Sequence, residues 1–136
     1  MPHISKKKLD KETLSNLHKR LVATLRDAGA KSQLGAVLDQ ILTETEEIMI
    51  AKRLSIIFLL DQGATTYFIY KKLNVSPRTV TYMKERFLQG EYDAIQKLFK
   101  NKKETEKMWS YLEVIVRGGM PAYGKDRWKG IFRETK

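Results

Sequence analysis

Residues 65–88, with the sequence TTYFIYKKLNVSPRTVTYMKERFL, restrict the possible folds of this chain more than any other stretch. The stretch predicts two short helices joined by a tight turn. Asn74 falls in the turn, where a residue that tolerates a positive φ is needed. Ser76 and Pro77 then begin the second helix, serine as its N-cap and proline as its first residue. Apolar side chains recur at spacings that let the two helices pack together: Ile69, Leu73, Val75, Val80 and Met83.

The second predicted helix is rich in basic and hydroxyl side chains and has one acid, Glu85. The remaining polar positions are Arg78, Thr79, Thr81, Tyr82, Lys84 and Arg86. This pattern is typical of a DNA-binding helix-turn-helix, at about residues 65–89, whose second helix enters the major groove. An ordinary helical hairpin with a solvated basic face would explain the charge, but not the turn, the cap and the apolar register together. DNA is therefore the leading candidate ligand.

The charge of the chain is concentrated on this motif. The 136 residues carry a net charge of +10, which favours polyanionic partners through counterion release. Residues 63–90 contain five basic residues and one acid, a net charge of +4, whereas residues 42–62 contain two basic residues and four acids, a net charge of −2. The helix-turn-helix is thus basic, while the segment before it is not.

The motif predicts two sets of contacts with double-stranded DNA. Phosphates attract lysines, a serine hydroxyl and the N-terminus of a helix. Base edges are read by exposed side chains near the start of the second helix, since arginine pairs with guanine and threonine offers its methyl group to thymine. The predicted phosphate contacts are Lys71, Lys72, Ser76 and Lys84. The predicted base-reading residues are Arg78, Thr79, Thr81 and Tyr82.

Helical periodicity before the motif predicts three more helices. Leucines at 14, 17, 21 and 25 form a narrow stripe, with Asp10 as cap and Gly29 as stop. Ser32 is expected to cap a second helix with apolar residues at 34, 38 and 41. Thr43 with Glu46 forms a capping-box pattern that opens a third helix, ending near residue 63. Because this third helix is apolar over much of its circumference, it is expected to be the central buried helix.

Two helices are predicted after the motif, at residues 92–99 and 104–117, with Trp109 in the core. No useful alternation of apolar and polar residues is present, so the predicted fold class is all-α. Residues 1–8 are predicted to be a basic arm, residues 9–117 the helical domain, and residues 118–136 a basic, glycine-containing tail.

Neither catalysis nor metal binding is supported by the residue pattern. The chain contains no cysteine, which excludes disulfides and thiolate metal sites. His3 and His18 are expected on the surface, and acids at 44, 46 and 47 suit the first turn of a helix. We therefore predict no enzyme, no cofactor and no metal. The start of the chain lacks a secretory signal, and its longest apolar run, residues 56–60, is too short to span a bilayer, so a cytoplasmic protein is expected.

Residues 42–60, LTETEEIMIAKRLSIIFLL, followed by the helix-turn-helix, resemble the tryptophan repressor superfamily over residues 42 to about 95. The most specific parts are LTxTE, AKRL and GATTYFIYKKLNVSPRTVTYMK. The resemblance implies an intertwined all-α homodimer with two helix-turn-helix heads, which meet successive major grooves about one helical turn apart. The leucine stripe of the first helix fits a helix that wraps around its partner.

The resemblance also bears on the ligand of the family, because two arginines sandwich the indole in tryptophan repressors. The first is retained as Arg53, and Thr43 and Thr79 match pocket positions. The second aligns with Tyr82, and the next position, a glycine in the family, is Met83 here. Since a methionine can fill the hole that a glycine leaves, tryptophan binding is not expected. Arg53 could then contact the DNA backbone or pair with a glutamate of the first turn.

The leading interpretation is a sequence-specific transcriptional regulator, a repressor that acts as a homodimer. Two alternatives stay open: a non-specific DNA-coating or architectural protein, and a dimeric adaptor whose basic tail docks an acidic protein. The capped, well-registered head argues against the first, and the acid-poor second helix argues against the second.

Overall fold

The computed structural model describes residues 7–117, where all regular structure is helical, as the sequence predicts. The helices are α1 (Lys11–Ala30), α2 (Leu34–Ile41), α3 (Glu44–Asp61), α4 (Thr66–Leu73), α5 (Pro77–Leu88), α6 (Asp93–Leu98) and α7 (Lys102–Arg117). In this range, no helix has both the length and the apolar composition needed to cross a membrane. Most of the predicted basic arm and the whole predicted tail lie outside the described residues.

The ends of α1 and α2 differ from the prediction. Gly29 lies inside α1, which continues to Ala30. Ser32 has a φ of 57°, and its N–H donates to Gly29 O at 3.2 Å, so it belongs to the turn that closes α1. A left-handed residue cannot adopt the extended backbone of an N-cap. The predicted Ser32 cap is therefore wrong, and Gln33 precedes α2 instead.

The capping box at the start of α3 is confirmed. The Thr43 N–H donates to Glu46 Oε2 at 2.8 Å, and the Glu46 N–H donates to Thr43 Oγ1 at 3.2 Å. At the other end, Gly63 has a φ of 89° and closes the helix, as predicted. The two bonds between Thr43 and Glu46 are local, so they determine where α3 begins independently of tertiary packing.

Over the described residues, the chain divides into two compact units, the first ending at residue 51 and the second beginning at residue 52. In the described part of the first unit, Ala28 is the only buried residue. The apolar side chains of this unit are largely exposed: Leu9, Leu14, Leu17, Leu21, Val22, Leu34, Ile41, Ile48 and Ile50. The first unit of one chain therefore has almost no hydrophobic core of its own.

The second unit is built around Phe58, which is fully buried near the end of α3. Its ring makes edge contacts with Phe99 and Trp109, with centroids 5.1 and 5.2 Å apart. This confirms the placement of Trp109 against the core. The buried residues of α3 are confined to its last turns, residues 56–60, and apolar residues earlier in the helix are exposed. The helix that was predicted to be the central buried one is thus buried only in its C-terminal part.

The helix-turn-helix forms as predicted. Thr65 caps α4 by accepting a bond from the Phe68 N–H at 3.1 Å, and Ser76 caps α5 by accepting one from the Thr79 N–H at 3.1 Å. Asn74 occupies the left-handed region between them, with φ 54° and ψ 52°. Local interactions therefore specify both helix starts and the turn.

Replacing Asn74 tests how much this turn depends on its backbone. Alanine is sterically strained in the left-handed region, so Asn74→Ala should lower the free energy of unfolding by about 1 kcal/mol. Asn74→Gly is the matched control, because glycine adopts this conformation without strain and should cost clearly less. Urea unfolding at one fixed protein concentration measures both. Equal destabilisation by the two variants would contradict the assignment.

Candidate nucleic-acid interface

Burial of one side of α5 determines which side chains point outward. Val80 and Met83 lie in the core of the second unit, and Phe87 packs against it. The opposite side carries four exposed residues spaced three or four apart, which we call the recognition face: Arg78, Thr81, Tyr82 and Glu85. Three of the predicted base-reading residues are therefore brought together. Glu85 joins them, although the sequence analysis gave it no role.

Thr79, the fourth predicted base-reading residue, has a different local role. Its N–H donates to Ser76 Oγ, and the two hydroxyl oxygens lie 2.7 Å apart in a shared hydrogen bond. When Thr79 is the donor, the Ser76 hydroxyl keeps its own proton for an outside acceptor. Ser76 and Thr79 thus form a capping pair at the N-terminus of α5.

The predicted phosphate contacts are accessible to different degrees. Lys71 and Lys84 are exposed, and Lys72 is half-buried. Within residues 7–117, neither Lys84 nor Arg78 forms a salt bridge, so both cations face solvent. Exposed, uncompensated cations are suited to phosphate or base contacts.

An exposed aromatic residue on α4 was missed by the sequence analysis. Tyr67 is 52% exposed, and its ring contacts Tyr70 edge-on with centroids 5.2 Å apart. The Lys71 ammonium lies over the Tyr67 ring, 5.7 Å from its centroid. The four-residue spacing of Tyr67 and Lys71 on a helix was the available signal. Together they form a cationic aromatic surface on the first helix of the motif.

Lys52 supports the turn of the helix-turn-helix from α3. Its Nζ donates to the Asn74 carbonyl oxygen at 3.3 Å. The ammonium therefore lies at the C-terminal end of α4, where the helix dipole favours a positive charge. The bond joins residues 22 positions apart, which explains why the local sequence gave no indication of it.

A cleft of about 210 Å³ lies beside α5 in the second unit. Its lining consists of Arg53, Thr79, Tyr82, Met83, Arg86 and Tyr92. The structure thus brings Arg53 and Thr79 together, as the resemblance implied for two pocket residues. Met83 is only 4% exposed and belongs to the core. The third predicted pocket residue, Thr43, serves as the cap of α3.

Arg86 is surrounded by partners from its own unit. Its Nη1 donates to the Tyr82 hydroxyl at 3.0 Å, and its Nη2 lies 3.3 Å from Glu91 Oε1. The guanidinium also lies over the rings of Tyr82 and Tyr92, at 5.4 and 5.9 Å from their centroids. Hydrogen bonding to Tyr92, then the charge of Glu91, raises the pKa of Arg86 above its ordinary value. Arg86 is therefore a cation whose charge is paired with a carboxylate of the same unit.

Neither a curated protein nor a solved structure matches this chain. A family model described as Trp repressor protein matches residues 16–104. The matched segment contains all of α2 to α6, including the helix-turn-helix and every residue that lines the cleft. This family consists of helix-turn-helix DNA-binding regulators. Because the match covers well over half of the 136 residues, the chain belongs to the Trp repressor family.

Proposed function

We propose that this protein is a sequence-specific DNA-binding repressor that acts as a homodimer and places α5 in the major groove. The recognition face carries this proposal: hydrogen-bonding side chains lie on one side of a capped helix whose other side is held in the core. A helix fixed in this way presents its side chains to base edges in a defined orientation.

The side chains of the recognition face suit different bases. Arg78 can donate two bonds to guanine, and Thr81 can place its methyl group against that of thymine. The Glu85 carboxylate can accept a bond from the amino group of cytosine and repels phosphates. An acid beside the cations therefore favours base contacts over indiscriminate backbone contacts. Tyr82 supplies a further hydroxyl, and Thr79 offers its methyl group from the edge of the face.

Phosphate contacts would hold the helix in register. The N-terminus of α5, with the Ser76 hydroxyl, provides a donor site for one phosphate. Lys71, Lys72 and Lys84 would contact the backbone on either side of it. The Tyr67 hydroxyl, carried on the ring beneath Lys71, extends this surface along α4. Arg53 lines the cleft beside α5 and is available for either the backbone or a small molecule.

The homodimer is supported by the exposed apolar side chains of the first unit. Exposing many large apolar side chains in one small unit is costly in water, and such side chains are usually covered by a partner. A second copy supplies the same leucine stripe, which suits helix-to-helix packing. Two copies would also present two heads to a two-fold symmetric DNA site. The repressor role follows the description of the family, and occupation of the groove would exclude competing proteins.

Selection of bound sequences from random duplex DNA, at near-physiological salt, tests the function directly. A repressor of this kind should enrich a two-fold symmetric motif whose half-sites are about one helical turn apart. Binding without an enriched motif would contradict sequence recognition and favour a DNA-coating protein. The absence of salt-dependent binding would contradict a DNA-binding role altogether and favour the adaptor.

Replacing Arg78 should reduce base selectivity, whereas replacing Lys84 should remove a phosphate contact. Arg78→Ala should cost about 1–3 kcal/mol on the selected site and relax the choice of one base pair. Lys84→Gln is the matched control on the same helix, and it should weaken binding equally on all sequences and reduce the salt slope by about 0.9. Titrations of matched and mismatched duplexes at several salt concentrations measure both effects. An equal loss on every duplex for Arg78→Ala would assign Arg78 to the backbone.

Sedimentation should detect a dimer that depends on the leucine stripe. Leu17→Glu places a charge in the proposed interface, so it should shift the protein to monomer and lower its thermal stability. Leu98→Glu is the control, since Leu98 is also an exposed leucine but lies on α6. It should leave the dimer intact. A monomeric wild-type protein at micromolar concentration would contradict the proposal.

Tryptophan should not bind in the cleft. The Met83 side chain lies in the core and fills the space that a glycine would leave. Tyr82 stands where the resemblance places the second arginine of the family, so this position supplies no guanidinium, and its hydroxyl is hydrogen-bonded to Arg86. Calorimetric titration with L-tryptophan should therefore give no saturable heat. A saturable heat, together with tryptophan-dependent DNA binding, would show that the cleft opens.

A further inference from the structure

Arg86 is a half-buried cation near the end of α5, and three side chains contact its guanidinium: Tyr82, Glu91 and Tyr92. Tyr82 precedes it by one helical turn on α5, whereas Glu91 and Tyr92 follow the helix after the chain reverses at Gly90. Gly90 has a φ of 77°, and the Glu91 N–H donates to the Arg86 carbonyl oxygen at 3.1 Å. The reversal therefore places the Glu91 carboxylate beside the guanidinium.

The bond between Arg86 and Tyr82 fixes the direction of hydrogen bonding at the tyrosine. A guanidinium can only donate, so the Tyr82 oxygen is the acceptor in the 3.0 Å contact. The hydroxyl proton of Tyr82 is then directed to another acceptor. The side chain is 54% exposed on the recognition face, so that acceptor can come from outside the protein.

We infer that Arg86 is a positioning residue that makes Tyr82 a hydrogen-bond donor for base reading, and that Glu91 holds Arg86 in place and away from phosphates. This inference rests on the proposed function. In the major groove, Tyr82 would then select a base that offers an acceptor: N7 or O6 of guanine, N7 of adenine or O4 of thymine. It would discriminate against the amino group of cytosine at the same position.

The ion pair also predicts how Arg86 responds to salt. Arg86 and Glu91 have side chains that are both 39% exposed, and their charges cancel at a distance of 3.3 Å. A cation already paired in the free protein releases few DNA counterions on binding. Arg86 should therefore contribute to the choice of base and contribute little to the salt slope, the reverse of Lys84.

The experiment compares Arg86→Gln, Tyr82→Phe and the double variant with wild type on the selected motif and on each single-base alternative. Tyr82→Phe keeps the ring and removes the hydroxyl. Each single variant should reduce discrimination at the same base pair by about tenfold, with little change in the salt slope. The double variant should lose no more than either single variant, because both changes remove one function.

Two further variants separate positioning from charge and from folding. Arg86→Lys keeps the charge but not the planar fork, so it should lose discrimination at that base pair without losing overall affinity. Glu91→Gln should relax the same base pair and also steepen the salt slope, because it frees Arg86 for a phosphate. Circular dichroism identifies any variant that fails to fold, and Glu91→Gln then provides the test, since it leaves α5 unchanged.

Several outcomes would overturn the inference. If Arg86→Gln weakens all sequences equally and lowers the salt slope by about 0.9, Arg86 is a phosphate contact. If the losses of Arg86→Gln and Tyr82→Phe add fully, the two residues act separately. If wild type selects no motif, the proposed function fails and the inference fails with it. If wild type selects a motif that Arg86→Gln and Glu91→Gln retain, only the inference fails.

Discussion

Burial of Val80 and Met83 in the core around Phe58 is the constraint on which the candidate interface depends. An α-helix repeats every 3.6 residues, so fixing two buried positions fixes the rotation of the whole helix about its axis. The recognition face is the consequence, because Arg78 and Tyr82 have no other direction available than outward. In the proposed function Met83 has a second effect, since its side chain would hold α5 in the core without a bound molecule. In the proposed complex, the head is therefore ready to bind DNA without a preceding conformational step.

The two units differ in how they can be stabilised. The second unit buries a cluster of aliphatic and aromatic side chains within one chain, whereas the described part of the first unit buries only Ala28. Hydrophobic burial is the main favourable term in folding, so the first unit needs surface from another source. If a second copy supplies it, folding of the first unit and association become one equilibrium, and stability depends on protein concentration. DNA affinity would then also depend on concentration, because a monomer offers only one head.

Features that depend on residues three or four apart could be predicted from the sequence. The Thr43 box, the Ser76 cap and the left-handed Asn74 all belong to this class. The sequence allowed two local roles for Ser32, either capping α2 or closing the turn after α1. The structure shows that it closes α1, and this conformation is incompatible with an N-cap. The Lys52 bond to Asn74 could not be predicted, since it depends on how α3 passes the turn. The apolar pattern of α3 also did not show which of its residues are buried within the chain, because a surface that the proposed second copy would cover has the same pattern.

The arrangement of charge around α5 bears on specificity more than on affinity. Contacts between cations and phosphates strengthen binding to every sequence, so they do not by themselves raise the ratio of specific to non-specific affinity. Residues 63–90 carry five cations, but Arg86 is paired with Glu91, and Glu85 places an acid on the recognition face itself. In the proposed complex, both acids would lower the attraction of α5 for DNA of any sequence. Specific binding would then depend on the hydrogen bonds that Arg78 and Tyr82 make with the correct bases. In the proposed repressor, α5 would therefore bind DNA of random sequence less strongly. Tight binding to the selected site would then depend on base contacts.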